Sequence, residues 1–180
     1  MVTPPPARLV TLVGNPRPKS RTRALAVLAA EAVGARLGPV DREVVDLSAL
    51  AAGLGSAAAP AALQAAERTV QDADVLVVAS PTYKGTYTGL LKTFLDRLPG
   101  GALASAVALP LMVMGDARHA PAVEVHLRPL LAELGASVPT PGAVVPENRI
   151  EQAGELLDAW AAQVAPQVAG LLAARATTTS

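Results

Sequence analysis

An alternation along the chain constrains the fold most. Short apolar runs at Arg8–Val13, Arg42–Leu47, Asp74–Ala79, Val107–Met114 and Ser137–Val145 each give way to a segment with helical character. Asp74–Ala79 reads Asp-Val-Leu-Val-Val-Ala, apolar at successive positions rather than at every second one. Such a strand is buried on both faces, which a parallel sheet covered by helices requires. The intervening segments predict helices over Arg21–Leu37, Ala61–Gln71, Thr88–Leu98, Pro121–Leu134 and Glu151–Ala174, the last broken near Pro166. In Thr88–Leu98, residues Leu91, Phe94, Leu95 and Leu98 share one face. Pro110 predicts an irregularity or bulge in the fourth strand. The alanine-rich stretch Ala49–Ala66 reads as a loop followed by a helix start at Pro60. Five βα units predict a doubly wound α/β sandwich. At 180 residues the chain is one domain, with residues 1–7 and 175–180 expected to be flexible.

Composition excludes several classes. The chain has no cysteine, so disulfides, thiolate metal sites and cysteine nucleophiles are absent. Its formal net charge is +0, which argues against nucleic-acid binding or a polybasic membrane contact. The N-terminus lacks the apolar core of a signal peptide. The charge-free runs Leu98–Gly115 and Leu47–Ala66 are interrupted by proline and glycine or are mostly alanine, so neither reads as a membrane span. A cytoplasmic location is expected. His119 and His126 are not at the i, i+4 spacing of a helical metal pair, and no G-x-S-x-G hydrolase elbow occurs. Gly53-Leu54-Gly55-Ser56-Ala57-Ala58 matches G-x-G-x-x-A only on paper, because no strand directly precedes it.

Two loops carry the chemistry. The first, Gly14-Asn15-Pro16-Arg17-Pro18-Lys19-Ser20-Arg21-Thr22, leaves the first strand and opens the first helix. Gly14 permits a sharp turn, Ser20 or Thr22 can cap the helix, and the cations suit an anion such as phosphate. An ordinary capped helix with solvated charges would look the same. The second, Ser80 to Gly89, contains Pro81, Thr82, Tyr83, Lys84 and Gly85. Tyr83, Tyr87 and Phe94 are three of the chain's four aromatics, the other being Trp160. This loop can present backbone N–H groups to a flat, acceptor-rich ring, with Tyr83 to stack or shield it. A simple βα connection is the plainer alternative, with Phe94 filling the core. In the order 2-1-3-4-5, ligands bind where the loops after strands 1 and 3 meet. A flavin mononucleotide has the matching shape: a phosphate at one end and a ring at the other. The loop after strand 4, with Gly115 and Asp116, would form a third wall.

Gly14-Asn15-Pro16-Arg17-x-x-Ser20-Arg21-Thr22 and Pro81-Thr82-Tyr83-Lys84-x-x-Tyr87-x-Gly89-x-x-Lys92-x-x-x-Asp96-x-x-Pro99 together resemble the NAD(P)H-dependent FMN reductase family, closest to the flavin reductases of two-component sulfonate monooxygenase systems. The resemblance implies a flavodoxin-like fold. It places the FMN phosphate at Asn15, Arg17, Ser20, Arg21 and Thr22, and the isoalloxazine against Pro81, Thr82, Tyr83, Lys84 and Gly85, with Gly115 and Asp116 nearby. Hydride would pass from NADPH or NADH to FMN, with no obligatory acid–base side chain. It also implies a homodimer or homotetramer and a flavin-dependent monooxygenase partner. A π-bulge at Val125 or His126 is implied at a subunit contact, which would make FMN a substrate that leaves reduced. At Gly115-Asp116 the chain departs from the Gly-Gly or Gly-Thr of relatives. The alternatives are an FMN-containing quinone, azo-dye or metal-ion reductase, and a flavodoxin-like electron carrier without a nicotinamide site. The neutral net charge counts against the carrier, and the lack of an acidic cluster after strand 1 counts against a receiver-like module.

Overall fold

The computed structural model describes residues 6–56 and 59–178. Strands β1 (Ala7–Val13), β2 (Val40–Asp46), β3 (Val75–Pro81), β4 (Val107–Met114) and β5 (Ala143–Pro146) form one sheet in the order β2-β1-β3-β4-β5. Every pairing is parallel. Helices α1 (Arg21–Leu37), α2 (Ala61–Gln71), α3 (Gly89–Leu95), α4 (Arg128–Glu133) and α5 (Ala153–Thr178) connect or follow the strands. This is the doubly wound sandwich that the alternation predicts, in the flavodoxin-like order that the resemblance implies.

The strand period sorts the core into two layers. On one face Leu9, Val13, Val75, Val77, Leu109 and Leu111 pack against α1 and α5. On the other, Val10, Leu12, Leu76, Val78 and Met112 pack against α2, α3 and α4. β3 and β4 are buried along their whole length, which accounts for their unbroken apolar sequence. β2, at the sheet edge, is largely exposed.

Prolines explain most of the departures from the sequence reading. β4 contains no bulge, since its register with β3 runs unbroken through Val78↔Pro110. The Val107 N–H points to β3, at Asp74, and the Ala108 N–H to the other side, at Ser137. By the same alternation the missing donor of Pro110 faces the β5 side, where pairing begins only at Leu111. The irregularity lies in the neighbouring strand instead. Ser137 makes only an isolated bridge to Val107, and β5 starts at Ala143 because Pro139 and Pro141 cannot donate to a ladder. Side chains take over that backbone: Gln167 meets both the N–H and the carbonyl of Thr140, and the Trp160 indole N–H donates to the Pro141 carbonyl.

Helix α3 stops at Leu95, short of the expected Leu98. Its end tightens into i→i+3 bonds, Arg97 N–H to Phe94 and Leu98 N–H to Leu95, ahead of Pro99, which disfavours a helical residue before it. By contrast, α5 is continuous through Pro166. The proline lies on the exposed side, where water can reach the Ala162 carbonyl it releases, while Ala161, Val164, Ala165 and Val168 keep both halves packed. Ala7 pairs with Val40 and the helix extends to Thr178, so these parts of the two expected flexible ends lie in regular structure. Residues 1–5 and 179–180 fall outside the described set. No helix among the described residues is long and apolar enough to cross a membrane.

Candidate functional site

β1 and β3 are neighbours whose following connections leave on opposite faces, so a crevice opens beyond their carboxyl ends. A cleft of about 370 Å³ lies there, lined by Asn15 and residues 17–22 from the first loop, Pro81 and Tyr83 from the second, Val113 from β4, and Glu147.

The first loop is organised by its own polar side chains. Asn15 is 7 % exposed and points inward. Its amide oxygen accepts from the Arg17 N–H and its amide nitrogen donates to Thr22 Oγ1, both at 2.9 Å. Ser20 is the N-cap of α1, its hydroxyl accepting from the Arg23 N–H at 3.2 Å. The N–H groups of Arg21 and Thr22, in the first turn, have no helical acceptor and stand at the positive end of the helix dipole. Arg17, Lys19 and Arg21 are exposed around them. Among the described residues Arg17 and Lys19 have no ion pair, while Arg21 reaches Glu147 at 3.4 Å. Lys19 adopts φ +52°, in the left-handed region.

The second loop is built from backbone. Tyr83 and Thr86 exchange hydrogen bonds, Tyr83 N–H to Thr86 O at 2.8 Å and the reverse at 3.3 Å. Lys84 (φ +53°) and Gly85 (φ +84°) fill the turn between them, the pattern of a type I′ hairpin. The sequence reading left these N–H groups open, but the structure uses most of them. Thr82 N–H donates to Val113 O and Thr88 N–H to Ser80 Oγ. Lys84, Gly85 and Tyr87 keep N–H groups without a partner among the described residues, as does Gly89 at the start of α3. Tyr83 is 42 % exposed at the cleft wall, whereas Phe94 is fully buried in the core.

Thr88 locks the two loops together. Its hydroxyl caps α3 by accepting from the Leu91 N–H at 3.1 Å, and donates to Gly14 O at 2.5 Å. Gly14 N–H in turn donates to Ala79 O at 2.7 Å. Gly14 does not owe its identity to a left-handed turn. A Cβ at that position would lie 2.6 Å from Leu91 Cβ, so the glycine lets α3 sit against the end of β1.

Asn15, Arg17, Ser20, Arg21, Thr22, Pro81 and Tyr83 thus meet around one cleft. Thr82, Lys84, Gly85, Gly115 and Asp116 are not among its lining residues. Thr82 Oγ1 is buried without a hydrogen-bond partner among the described residues. Asp116 caps the turn Ala117–His119 and binds its own neighbour, Arg118. Side-chain and then backbone hydrogen bonds from Arg118 pull the Asp116 carboxyl down to about 2. Outside the two loops, sequence reasoning missed Val113 and Glu147 as lining residues. Glu147 begins the turn after β5 and is 126 positions from Arg21, so no local pattern could have linked them.

Helix α4 is preceded by a π-helix, Val123–Leu127. Within it, Glu124 pairs with Arg128 and accepts from the Gly142 N–H at 2.7 Å. The Arg128 hydrogen bond, offset in part by burial, holds the Glu124 carboxyl below its ordinary range. Val125 projects outward, 59 % exposed.

The fold and cleft define a flavodoxin-like protein with a cation-rich cleft at its switch point. The chain belongs to the NADPH-dependent FMN reductase family, whose model matches residues 7–149. It is 37 % identical over 131 residues to an FMN reductase (NADPH) of Pseudomonas aeruginosa, covering 71 % of this chain and 70 % of the relative. It is 33 % identical to an NADH-dependent FMN reductase, SfnF, of Pseudomonas fluorescens, covering 71 % of this chain and 70 % of that one. Among solved structures, an oxidoreductase of Corynebacterium diphtheriae superposes with a TM-score of 0.82 at 25 % identity, covering 93 % of this chain and 97 % of the other.

Proposed function

We propose that this single-domain chain is an NAD(P)H:FMN oxidoreductase that binds FMN in the cleft between the β1–α1 and β3–α3 loops. The observation that carries this reading is the joining of a cation-rich helix start to a backbone hairpin by one buried hydroxyl, Thr88. The donor set fits FMN. Arg17, Lys19, Arg21 and the first N–H groups of α1 suit its phosphate. Pro81, Thr82, Tyr83, Lys84 and Gly85 suit its ring, with Gly115 and Asp116 on the neighbouring loop. Bound FMN supplies the hydride acceptor, N5, for the C4 hydride of a reduced nicotinamide. The protein holds the phosphate with exposed cations at a helix start, braces the ring with a hairpin and leaves Tyr83 to cover it. Asn15 acts behind the site, since it fixes Arg17 and Thr22. No side chain need carry a proton, so the contribution of the chain is orientation. Relatives named for NADPH and for NADH both match, so either nucleotide fits the reading.

The same proposal extends to partners. Val125 stands beside an open groove of about 530 Å³ with Tyr87, Leu95, Pro129 and Leu130 in its wall. A second copy covering it would give a homodimer or homotetramer, and Val125→Asp would then shift the mass measured by light scattering toward the monomer. Release of reduced flavin to a monooxygenase, in the cytoplasm, completes the reading. The central test is to follow NADPH and NADH oxidation with and without added FMN. Turnover that depends on added FMN in a colourless protein supports flavin as substrate. A yellow protein that reduces quinone without added flavin would replace this reading by an FMN-containing quinone reductase. Absence of flavin binding would overturn both.

A further inference from the structure

The cleft that gathers Arg17, Lys19 and Arg21 also contains one carboxylate, Glu147. Glu147 Oε1 lies 3.4 Å from Arg21 Nη2, with both side chains substantially exposed at 65 % and 46 % for Arg21 and Glu147. Its other oxygen faces the neighbouring loop, 3.9 Å from where a Cβ on Gly115 would stand. No other hydrogen bond to this carboxylate occurs among the described residues. An exposed pair with such a long contact contributes little to folding. The carboxylate matters more for what enters the cleft. A phosphate monoester brings roughly −1.5 to −2 charges, and one of the two guanidiniums in the cleft, Arg21, already faces an anion.

We propose that Glu147 is a competing anion: it occupies Arg21 while the cleft lacks a phosphate, and it weakens the binding of FMN relative to riboflavin. The inference rests on the reading that the FMN phosphate goes to the Arg17–Thr22 loop. To bind, the phosphate must displace the carboxylate from Arg21, and the two anions then remain within several ångströms of each other. At about 6 Å in a water-like dielectric, their repulsion lowers affinity by about three- to tenfold at low salt. The acid therefore serves turnover in a protein for which FMN is a substrate, because it makes the phosphate end easier to release.

The test is Glu147→Gln, which keeps the size of an exposed side chain and removes its charge. FMN and riboflavin are titrated by quenching of flavin fluorescence, and inorganic phosphate is used as a competitor of FMN. The expected result is about three- to tenfold tighter FMN binding at low salt, shrinking at about 0.5 M salt. Riboflavin affinity stays constant, and less phosphate is needed to compete. In an Arg21→Ala background the gain from Glu147→Gln falls. If the variant weakens FMN and riboflavin alike, the carboxylate holds the ribityl chain or ring and the proposal is wrong. If wild type prefers FMN but the variant binds it no better, Glu147 is a bystander and only this proposal falls. If wild type binds both flavins equally and phosphate does not compete, the phosphate placement falls, and this inference with it.

Discussion

The two loops that form the cleft are alike in place and opposite in construction. Both leave the carboxyl end of a central strand, both end at a hydroxyl N-cap, Ser20 or Thr88, and both hold a lysine at positive φ. The first spends side chains on its own shape and leaves unpaired cations outward. The second spends backbone on its own shape, through the Tyr83–Thr86 pair, and leaves the Tyr83 ring exposed at the cleft wall. A ligand with a charged end and a planar end needs both kinds of surface. Charge is supplied by mobile, hydrated groups, whereas a ring needs a wall that does not move.

The largest expected effect comes from breaking the joint between them. Gly14→Ala would place a Cβ 2.6 Å from Leu91 Cβ, a distance that forces α3 away from β1. Overpacking of this kind costs about 1–3 kcal/mol, or a fall of roughly 2–12 °C in melting temperature for a chain of this size. The Thr88–Gly14 bond stretches with it, so FMN affinity drops in the same variant. Calorimetry together with flavin titration checks the pairing; an unchanged melting temperature would show that the two elements yield more easily than their packing implies.

Next in size is the charge side of the comparison. Ser20→Ala with Arg21→Ala removes a helix cap and a guanidinium, which together are worth about 10- to 100-fold in phosphate affinity. FMN binding should fall by that factor and riboflavin binding by far less. Equal losses would mean that the phosphate lies elsewhere.

How much of this was legible differs between the loops for a physical reason. Ser20 as a cap and the exposed cations follow from residue type and position, because they are local. The hairpin was not read, although Lys84-Gly85 resembles the Asn-Gly and Asp-Gly pairs that favour type I′ turns; lysine at its first position hid the signal. Gly14 was read as a turn residue, yet its neighbour Leu91 is distant in sequence. Glu147 was invisible for the same reason. That the strands are parallel and covered on both faces was legible because continuous burial leaves a continuous apolar run, whereas their order came with the family resemblance. The start of β5 was not legible, because Pro139 and Pro141 act through lost donors, which the run from Val138 to Val145 does not display as a change of polarity pattern.

The lysines at the loop tips offer a smaller, sharper contrast. Lys84→Asn creates Asn-Gly and relieves a residue that favours negative φ, and is expected to stabilise the fold by about 0.5–1 kcal/mol. Lys19→Asn relieves a similar conformation and should stabilise similarly, but it also removes a cation from the cleft wall. Denaturant unfolding should show the two gains as comparable. FMN titration should show a loss of a few-fold for Lys19→Asn that exceeds any change at Lys84→Asn. If Lys84→Asn loses more, its ammonium reaches the flavin and the second loop is not the purely backbone wall described above.

The smallest effect concerns the third loop, whose charge is spent internally. Arg118 is 87 % exposed, yet it is committed to Asp116 at 2.6 Å and adds no free cation to the site. The pair lowers the Asp116 carboxyl from 3.8 to about 2. A depressed carboxyl stabilises the folded loop above pH 3.8, and that contribution is lost as pH falls through about 2. Carbon-detected NMR titration should place the Asp116 midpoint near 2 in the native protein and return it toward 3.8 in Arg118→Gln. Because the pair lies at the surface and is screened by solvent, global stability near neutral pH should barely respond. A midpoint that stays near 2 in the variant would assign the shift to the turn backbone, the second of the two hydrogen-bonding causes. Arg118 would then be free to act as a cation toward a bound nucleotide, and the contrast between the first loop's outward cations and the third loop's internally paired charge would no longer hold.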